Sequence, residues 1–227
     1  MSKNLIEIKK LKKEFKNNNS VVKVLNNVNI NIESGKLVAL VGPSGSGKST
    51  FLHLLALLDE PTQGKIFLFG NSTANISEDK KNKIIKDYIS IIFQNNNLLS
   101  DFTALENVAI PLIIRNQNYK NSIEKAKKVL AKVNLSHRLN YFPSDLSGGE
   151  QQRVAIARSL AADTKIILAD EPTGNLDYKT SNEVFSYFLK LKEKNKTILI
   201  ATHNRELAKK ADYTLSLVNG NIKRKSK

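Results

Sequence analysis

Three stretches of the chain carry apolar residues with no polar break: "GKLVALVG" (35–42), "KIILADE" (165–171) and "KTILIATH" (196–203). A strand with one wet face alternates, so an unbroken run of this length predicts a strand covered on both faces, as in a parallel sheet. Two other stretches do alternate, "NLIEIKKLKKEF" (4–15) and, more clearly, "VLNNVNINIE" (24–33). They predict strands with one face on a core and one in water. "GKIFLFGNS" (64–72) reads as a further strand running into a turn, and "YTLSLVNGNIK" (213–223) as a closing strand pair. Apolar positions take helical spacing at 48–58, through most of 104–162 and again at 181–195. Strands and helices taking turns predict an α/β fold with a mostly parallel sheet and crossover helices. The helix-rich block from about 95 to 162 reads as an insertion into that fold.

Composition changes this picture little. At 227 residues and 41% hydrophobic, the chain suits one large α/β domain with a sizeable core. No apolar run approaches the roughly 18 residues of a membrane-spanning helix. The opening "MSKNLIEIKKLKKEF" lacks the apolar centre of a secretory signal, so a cytoplasmic protein is expected. There is no cysteine, which excludes disulfides and thiolate metal sites. The net charge of +15 invites a nucleic-acid or membrane-surface reading. Lysine and asparagine are both abundant and arginine scarce, so compositional bias accounts for most of the charge, with a modest attraction to anionic lipid left open beside it.

"GPSGSGKST" (42–50) does change the picture. It matches G-x-x-x-x-G-K-[ST], follows a predicted strand and opens a predicted helix. Gly42, Gly45 and Gly47 free the backbone of this loop, which also holds Pro43, Ser44 and Ser46, to turn successive N–H groups toward phosphate oxygens. The helix start beginning at Lys48, Ser49 and Thr50 adds partial positive charge. Lys48 is expected to reach the outer phosphates and Ser49 to offer its hydroxyl to Mg²⁺. "KIILADE" ends on two adjacent acids at the carboxyl end of a buried strand, where open α/β sheets place ligands. Strand alternation predicts that Asp170 and Glu171 point to opposite faces, Asp170 to hold Mg²⁺ through water and Glu171 to polarise an attacking water.

"LSGGEQQRVAIARSL" (146–160) resembles the signature motif of the ABC transporter ATPases. Ser147 reads as a helix cap, and Gly148 and Gly149 leave room for an anion at that helix start. The resemblance covers nearly the whole chain. It implies a RecA-like core with N-terminal antiparallel strands (about 1–93 and 163–227) and an inserted helical subdomain (about 94–162), all one ATPase domain. It implies ATP and Mg²⁺ as ligands, and two copies paired head to tail. In that pairing Ser147, Gly148, Gly149 and Glu150 close on the partner's nucleotide. Gln94 falls where the family has a glutamine that senses Mg²⁺ and the attacking water. Asn175, Leu176 and Asp177 match a loop that crosses to the partner's site. His203 matches the histidine aimed at the γ-phosphate, and Phe15 the aromatic under adenine.

Within the family, "LLSDFTALENVAIPLII" and "ADEPTGNLD" are most similar to the lipoprotein-releasing ATPases. Macrolide-type exporters and the FtsE-like cell-division ATPases share much of this pattern. The resemblance implies a peripheral subunit on the cytoplasmic face of the inner membrane. Two integral membrane subunits, LolC/LolE-like, would complete the complex. No nucleic acid is expected, because fewer than 100 residues and no sustained heptads separate cradle and signature. In this family the seam between the lobes receives a short helix from the membrane subunit. Leu98, Leu99, Phe102, Leu105 and Val108 are the candidates for that groove, with Pro111 near the start or a kink of the helix there.

Overall fold

The computed structural model describes residues 4–17, 20–174 and 176–225. The alternating stretches form a long hairpin of β1 (Asn4–Asn17) and β2 (Ser20–Glu33). With β4 (Gln63–Leu68) and β5 (Asn71–Ser72) they make an antiparallel sheet in the order β2-β1-β4-β5. Ile6, Ile8, Leu25, Val28 and Ile32 supply its buried face. The three unbroken runs are β3 (Leu37–Val41), β7 (Ile166–Asp170) and β8 (Thr197–Ala201). They join β6 (Ile89–Ile92), β9 (Tyr213–Val218) and β10 (Asn221–Lys225) in a second sheet of order β10-β9-β3-β8-β7-β6. All neighbours there are parallel except β10 with β9. Every residue of β7 and β8 is buried, as unbroken apolar runs require.

Each face of the parallel sheet has its own cover. α1 (Lys48–Leu55) is sandwiched between it and the antiparallel sheet, in a core centred on Leu40, Phe51, Leu55, Leu168 and Leu199. On the opposite face, α6 (Tyr178–Glu193) and α7 (Arg205–Lys209) pack through Val184, Phe188 and Leu207. The insertion has a third core. α3 (Ala104–Ile114), α4 (Tyr119–Lys132) and α5 (Gly148–Ala162) meet through Val108, Leu112, Leu130, Val154 and Ala157. α5 serves both lobes, since its Ile156 packs against the sheet instead. Among the described residues no helix is long and apolar enough to cross a membrane.

Three local expectations are corrected. The helix predicted over 48–58 stops at Leu55. Leu57 takes a positive φ of 58°, and the Leu58 N–H reaches back to the His53 carbonyl, the bonding of a Schellman stop. α2 (Glu78–Tyr88) and the strand β6 were not anticipated. α2 meets the core through only two adjacent isoleucines, Ile84 and Ile85, in an otherwise charged stretch that reads as surface. Pro111 lies in the second half of α3 rather than near its start. The apolar run around it divides by face. Val108, Ala109 and Leu112 are core, whereas Ile113 and Ile114 are 37% and 60% exposed. Of the groove candidates, Leu98 and Leu105 pack partly against the insertion and Val108 is fully buried. Leu99 and Phe102 remain 45% and 41% exposed.

The two helices flanking the insertion start on the same device. Thr103 caps α3 and Ser147 caps α5, each with the glutamate three residues on bonding back to the cap N–H. The Thr103 hydroxyl, then its N–H, hold the Glu106 carboxyl below its ordinary value of 4.5. The Ser147 N–H is the first cause of the lowering at Glu150, against burial, with Arg138 adding to it. A group titrating lower in the folded chain contributes stability that is complete above its unfolded value. That stability is lost as pH falls through the lowered folded value. Glu106→Ala should therefore cost about 1 kcal/mol near neutral pH. The difference in Tm from the parent should shrink steadily below about pH 4.5, as read by thermal melts across that range.

Candidate nucleotide site

β3 is the central strand, flanked by β8 and β9, and it feeds straight into the loop 42–47 and α1. Gly47 caps α1 with φ 99°, and no side chain bonds the first turn, so its N–H groups stay available. Gly42 is required by space: a Cβ there would lie 2.4 Å from the Leu217 carbonyl oxygen. Lys48 is 8% exposed and folds over the loop, its ammonium donating to the Gly42 and Pro43 carbonyls at 3.0 and 3.1 Å. The third N–H of that ammonium is uncommitted. Ser46 Oγ is buried with no partner among the described residues, and the Ser46 N–H bonds the Pro43 carbonyl. Ser44, Gly45, Ser49 and Thr50 line the cavity of about 580 Å³ that opens above.

The same cavity receives Gln94 from the end of β6, Asp170 and Glu171 from the end of β7, and His203 from the end of β8. Adjacent parallel strands thus deliver four separate sequence stretches to one crevice. The expected opposite facing of the two acids does not occur. β7 ends at Asp170, and Glu171 turns out of the strand with φ 45°, so alternation no longer governs it. Its N–H still bonds the Ala201 carbonyl of β8 at 2.9 Å. Left-handed backbone in a non-glycine residue costs on the order of 1–2 kcal/mol and marks a place where the surroundings impose the shape. Asp170 is 5% exposed, and among the described residues no cation pairs with it. Glu171 Oε2 lies 2.9 Å from His203 Nδ1 and accepts from the His203 backbone N–H at 3.3 Å. The His203 side chain is 72% exposed, which leaves Nε2 open to a ligand.

Other expected residues lie apart from this cavity. Phe15 sits on β1 opposite Val22, 45% exposed, with the Lys13 ammonium 4.8 Å from its ring centre. It does not line the cavity; Val24 of β2 does. Ser147, Gly148 and Gly149 form the exposed start of α5, and a Cβ on Gly148 would meet nothing within 4 Å. Glu150 is committed to its cap and to Arg138 at 2.9 Å, so it holds this helix start in place. Leu176 packs partly on the core beside Gly149, and Asp177 caps α6 by bonding Thr180. The Thr180 hydroxyl is the main cause of the lowered Asp177 pKa. Asn175 lies outside the described residues.

Two side chains were missed. Asn107 is fully buried in α3, and its amide bonds the carbonyls of Leu99, Phe102 and Thr103 while accepting from the Leu99 N–H. An amide amid the apolar run "NVAIPLII" was its only trace in the sequence. Arg158 bonds the backbone of Asn96 and Asn97. Nothing in sequence spacing announces that contact.

The fold and its cradle define a P-loop nucleotide-binding ATPase. The family model described as ABC transporter matches residues 25–174. The chain is 49% identical over 222 residues to the "Lipoprotein-releasing system ATP-binding protein LolD" of Rickettsia bellii, covering 97% of this chain and 98% of that one. It is 45% identical over 222 residues to the protein of the same name from Acinetobacter baylyi, covering 97% of each. Among solved structures, a dimeric post-hydrolysis state of the ATP-binding cassette MJ0796 bound to ADP and Pi superposes with a TM-score of 0.94. It is 38% identical and covers 98% of both chains. The chain belongs to the ABC transporter family, as one of its ATP-hydrolysing cassettes.

Gly47 offers a direct check on the cradle. A Cβ there would sit 2.5 Å from Val24 Cγ1 on a backbone at φ 99°. Gly47→Ala should cost roughly 1–3 kcal/mol in stability. It should weaken ATP binding by at least about tenfold, measured by titration calorimetry, because the first-turn N–H groups are redirected.

Proposed function

We propose that the chain is the ATP-hydrolysing subunit of a complex that releases lipoproteins from the inner membrane toward the outer membrane. The observation that carries the chemistry is the meeting of Gln94, Asp170, Glu171 and His203 over the phosphate cradle. The cargo is supported by near-full-length likeness to the lipoprotein-releasing ATP-binding proteins. On this reading the chain works as a homodimer bound peripherally to two integral membrane subunits of the LolC and LolE kind, on the cytoplasmic face.

The residues fit ATP with Mg²⁺. Among the described residues no cluster of three acidic or imidazole ligands exists. A cation here would draw much of its coordination from phosphates and water, the usual habit of Mg²⁺ beside nucleotides. Ser49, Asp170 and Gln94 would hold it. Bound there, Mg²⁺ neutralises phosphate charge. Lys48 exchanges its two carbonyl partners for phosphate oxygens, and the α1 start contributes its free N–H groups. Glu171 takes the proton of the attacking water, oriented by His203, whose Nε2 faces the γ-phosphate. Phe15 supplies a π face for adenine, outside the phosphate cavity. Ser147, Gly148 and Gly149 act on the partner's nucleotide, with Leu176 and Asp177 alongside. The exposure of Ser147, Gly148 and Asp177 in the single chain supports a role across a dimer.

Glu171→Gln should keep ATP affinity within about twofold, lower kcat by roughly 10²–10⁴, and give an ATP-dependent dimer on gel filtration. Parental turnover would remove Glu171 from its role. Lys48→Ala should lose nucleotide binding instead. Tagged full-length chain in mild detergent should co-purify two membrane subunits; capture of a single exporter-type or cell-division-type partner would replace the lipoprotein reading. Leu99→Ser with Phe102→Ser should reduce that capture while leaving ATP affinity unchanged.

A further inference from the structure

Arg158 has no part in the cycle above, yet its contacts reach the residue that does. It lies near the end of α5, the helix that starts at Ser147. Its Nη1 donates to the Asn97 carbonyl at 2.7 Å and its Nη2 to the Asn96 carbonyl at 2.9 Å. Those carbonyls belong to the loop that leaves β6 and carries Gln94 into the nucleotide cavity. Asn96 and Asn97 hold φ of 30° and 45°, a left-handed turn of the kind asparagine tolerates better than most residues. Asn107 pins the loop further on, from Leu99 to Thr103. Among the described residues, Arg158 is the side chain that tethers the stretch between Gln94 and that second anchor.

The guanidinium is an unusual choice for the task. Burial lowers its pKa, and among the described residues no carboxylate pairs with it. A partly desolvated cation facing two neutral carbonyls is costly unless both bonds are kept, and the planar fork of arginine keeps both at once. Arg158 and Asn97 also line the groove of about 400 Å³ between the lobes, with Pro111 and Ile114.

We infer that Arg158 is a positioning residue, tying the signature helix to the loop backbone that presents Gln94 to the nucleotide. A shift of α5 against the sheet then moves Gln94, and so does anything seated in the groove against Asn97. The inference rests on the reading of Gln94 as a residue of the hydrolysis site. It extends that reading to a residue that touches no nucleotide.

A double-mutant cycle on the full-length chain tests it, with Gln94→Ala, Arg158→Ala, Arg158→Lys and the Gln94→Ala/Arg158→Ala pair. ATP affinity should stay within about twofold in Arg158→Ala and Arg158→Lys, because neither touches the nucleotide cavity. Arg158→Ala should lower kcat roughly tenfold, the scale of a misplaced catalytic group. The pair should be no slower than Gln94→Ala alone. Arg158→Lys should recover part of the loss, since an ammonium can serve one carbonyl. Amide exchange in Arg158→Ala should rise at 94–98 and not in the Val154–Ala157 core of α5. Multiplying losses in the pair, a kcat within twofold of the parent in Arg158→Ala, or loosening spread through α5 would each overturn the inference. A Gln94→Ala chain with parental kcat would instead remove Gln94 from the site, and this inference with it.

Discussion

The molecule is organised around one helix start that is left open. Buried β3 runs into a loop whose last residue, Gly47, takes a left-handed conformation, so α1 begins with N–H groups that no side chain satisfies. Such groups are tolerable only where water or an anion reaches them. The start must therefore lie at the sheet edge facing the crevice, although the helix itself is deeply buried by Phe51, Leu52, Leu54 and Leu55. Strand order does the rest. With β8 and β9 beside β3, and β7 and β6 beyond β8, the strand ends carrying Gln94, Asp170 and His203 open on the same side.

α5 makes an instructive contrast. Its start is closed by a complete capping box, Ser147 with Glu150, and Glu150 is further held by Arg138. Its Ser147 and Glu150 N–H groups are thus already satisfied, yet Gly148 leaves open space above the helix start, with Gly149 packed beside Leu176. An open cradle suits a ligand held by the chain itself, and a capped, exposed, glycine-surfaced start suits one that arrives held by another copy. The difference in capping, more than the shared glycines, separates the roles of the two helix ends.

Much of this was legible in the sequence, and the gaps have physical reasons. Unbroken apolar runs identified β3, β7 and β8 because strands buried on both faces have no other pattern available. α2 escaped because its apolar contribution is two adjacent isoleucines, Ile84 and Ile85, in a stretch otherwise charged and exposed. The end of α1 escaped because its left-handed stop is Leu57, where glycine is the usual marker. Asparagine fills that post at Asn116, Asn134 and Asn195, after α3, α4 and α6. An abundance that reads as compositional bias thus ends helices. In the site, residue identities were readable from motif spacing, but Glu171 was not readable in orientation. Alternation holds only while the strand continues, and the strand stops one residue earlier. Asn107 and Arg158 were invisible because both bind backbone carbonyls, and a carbonyl has no letter in the sequence.

That last point bears on how the lobes are joined. The insertion has its own hydrophobic core, separate from those on the two faces of the sheet, with partly buried Leu160 packed against both it and the α6 side. Beside the seam, among the described residues, two arginines fork onto backbone oxygens: Arg158 of α5 onto Asn96 and Asn97, where the loop from β6 enters the insertion, and Arg115 onto Pro111 of its own helix and Lys86 of α2. Apolar packing resists separation but has no preferred angle over small slides, whereas a fork on a carbonyl has a definite geometry that is kept or lost. The loop that Arg158 grips is the one that carries Gln94 into the nucleotide cavity, so the seam and the site share one segment of backbone.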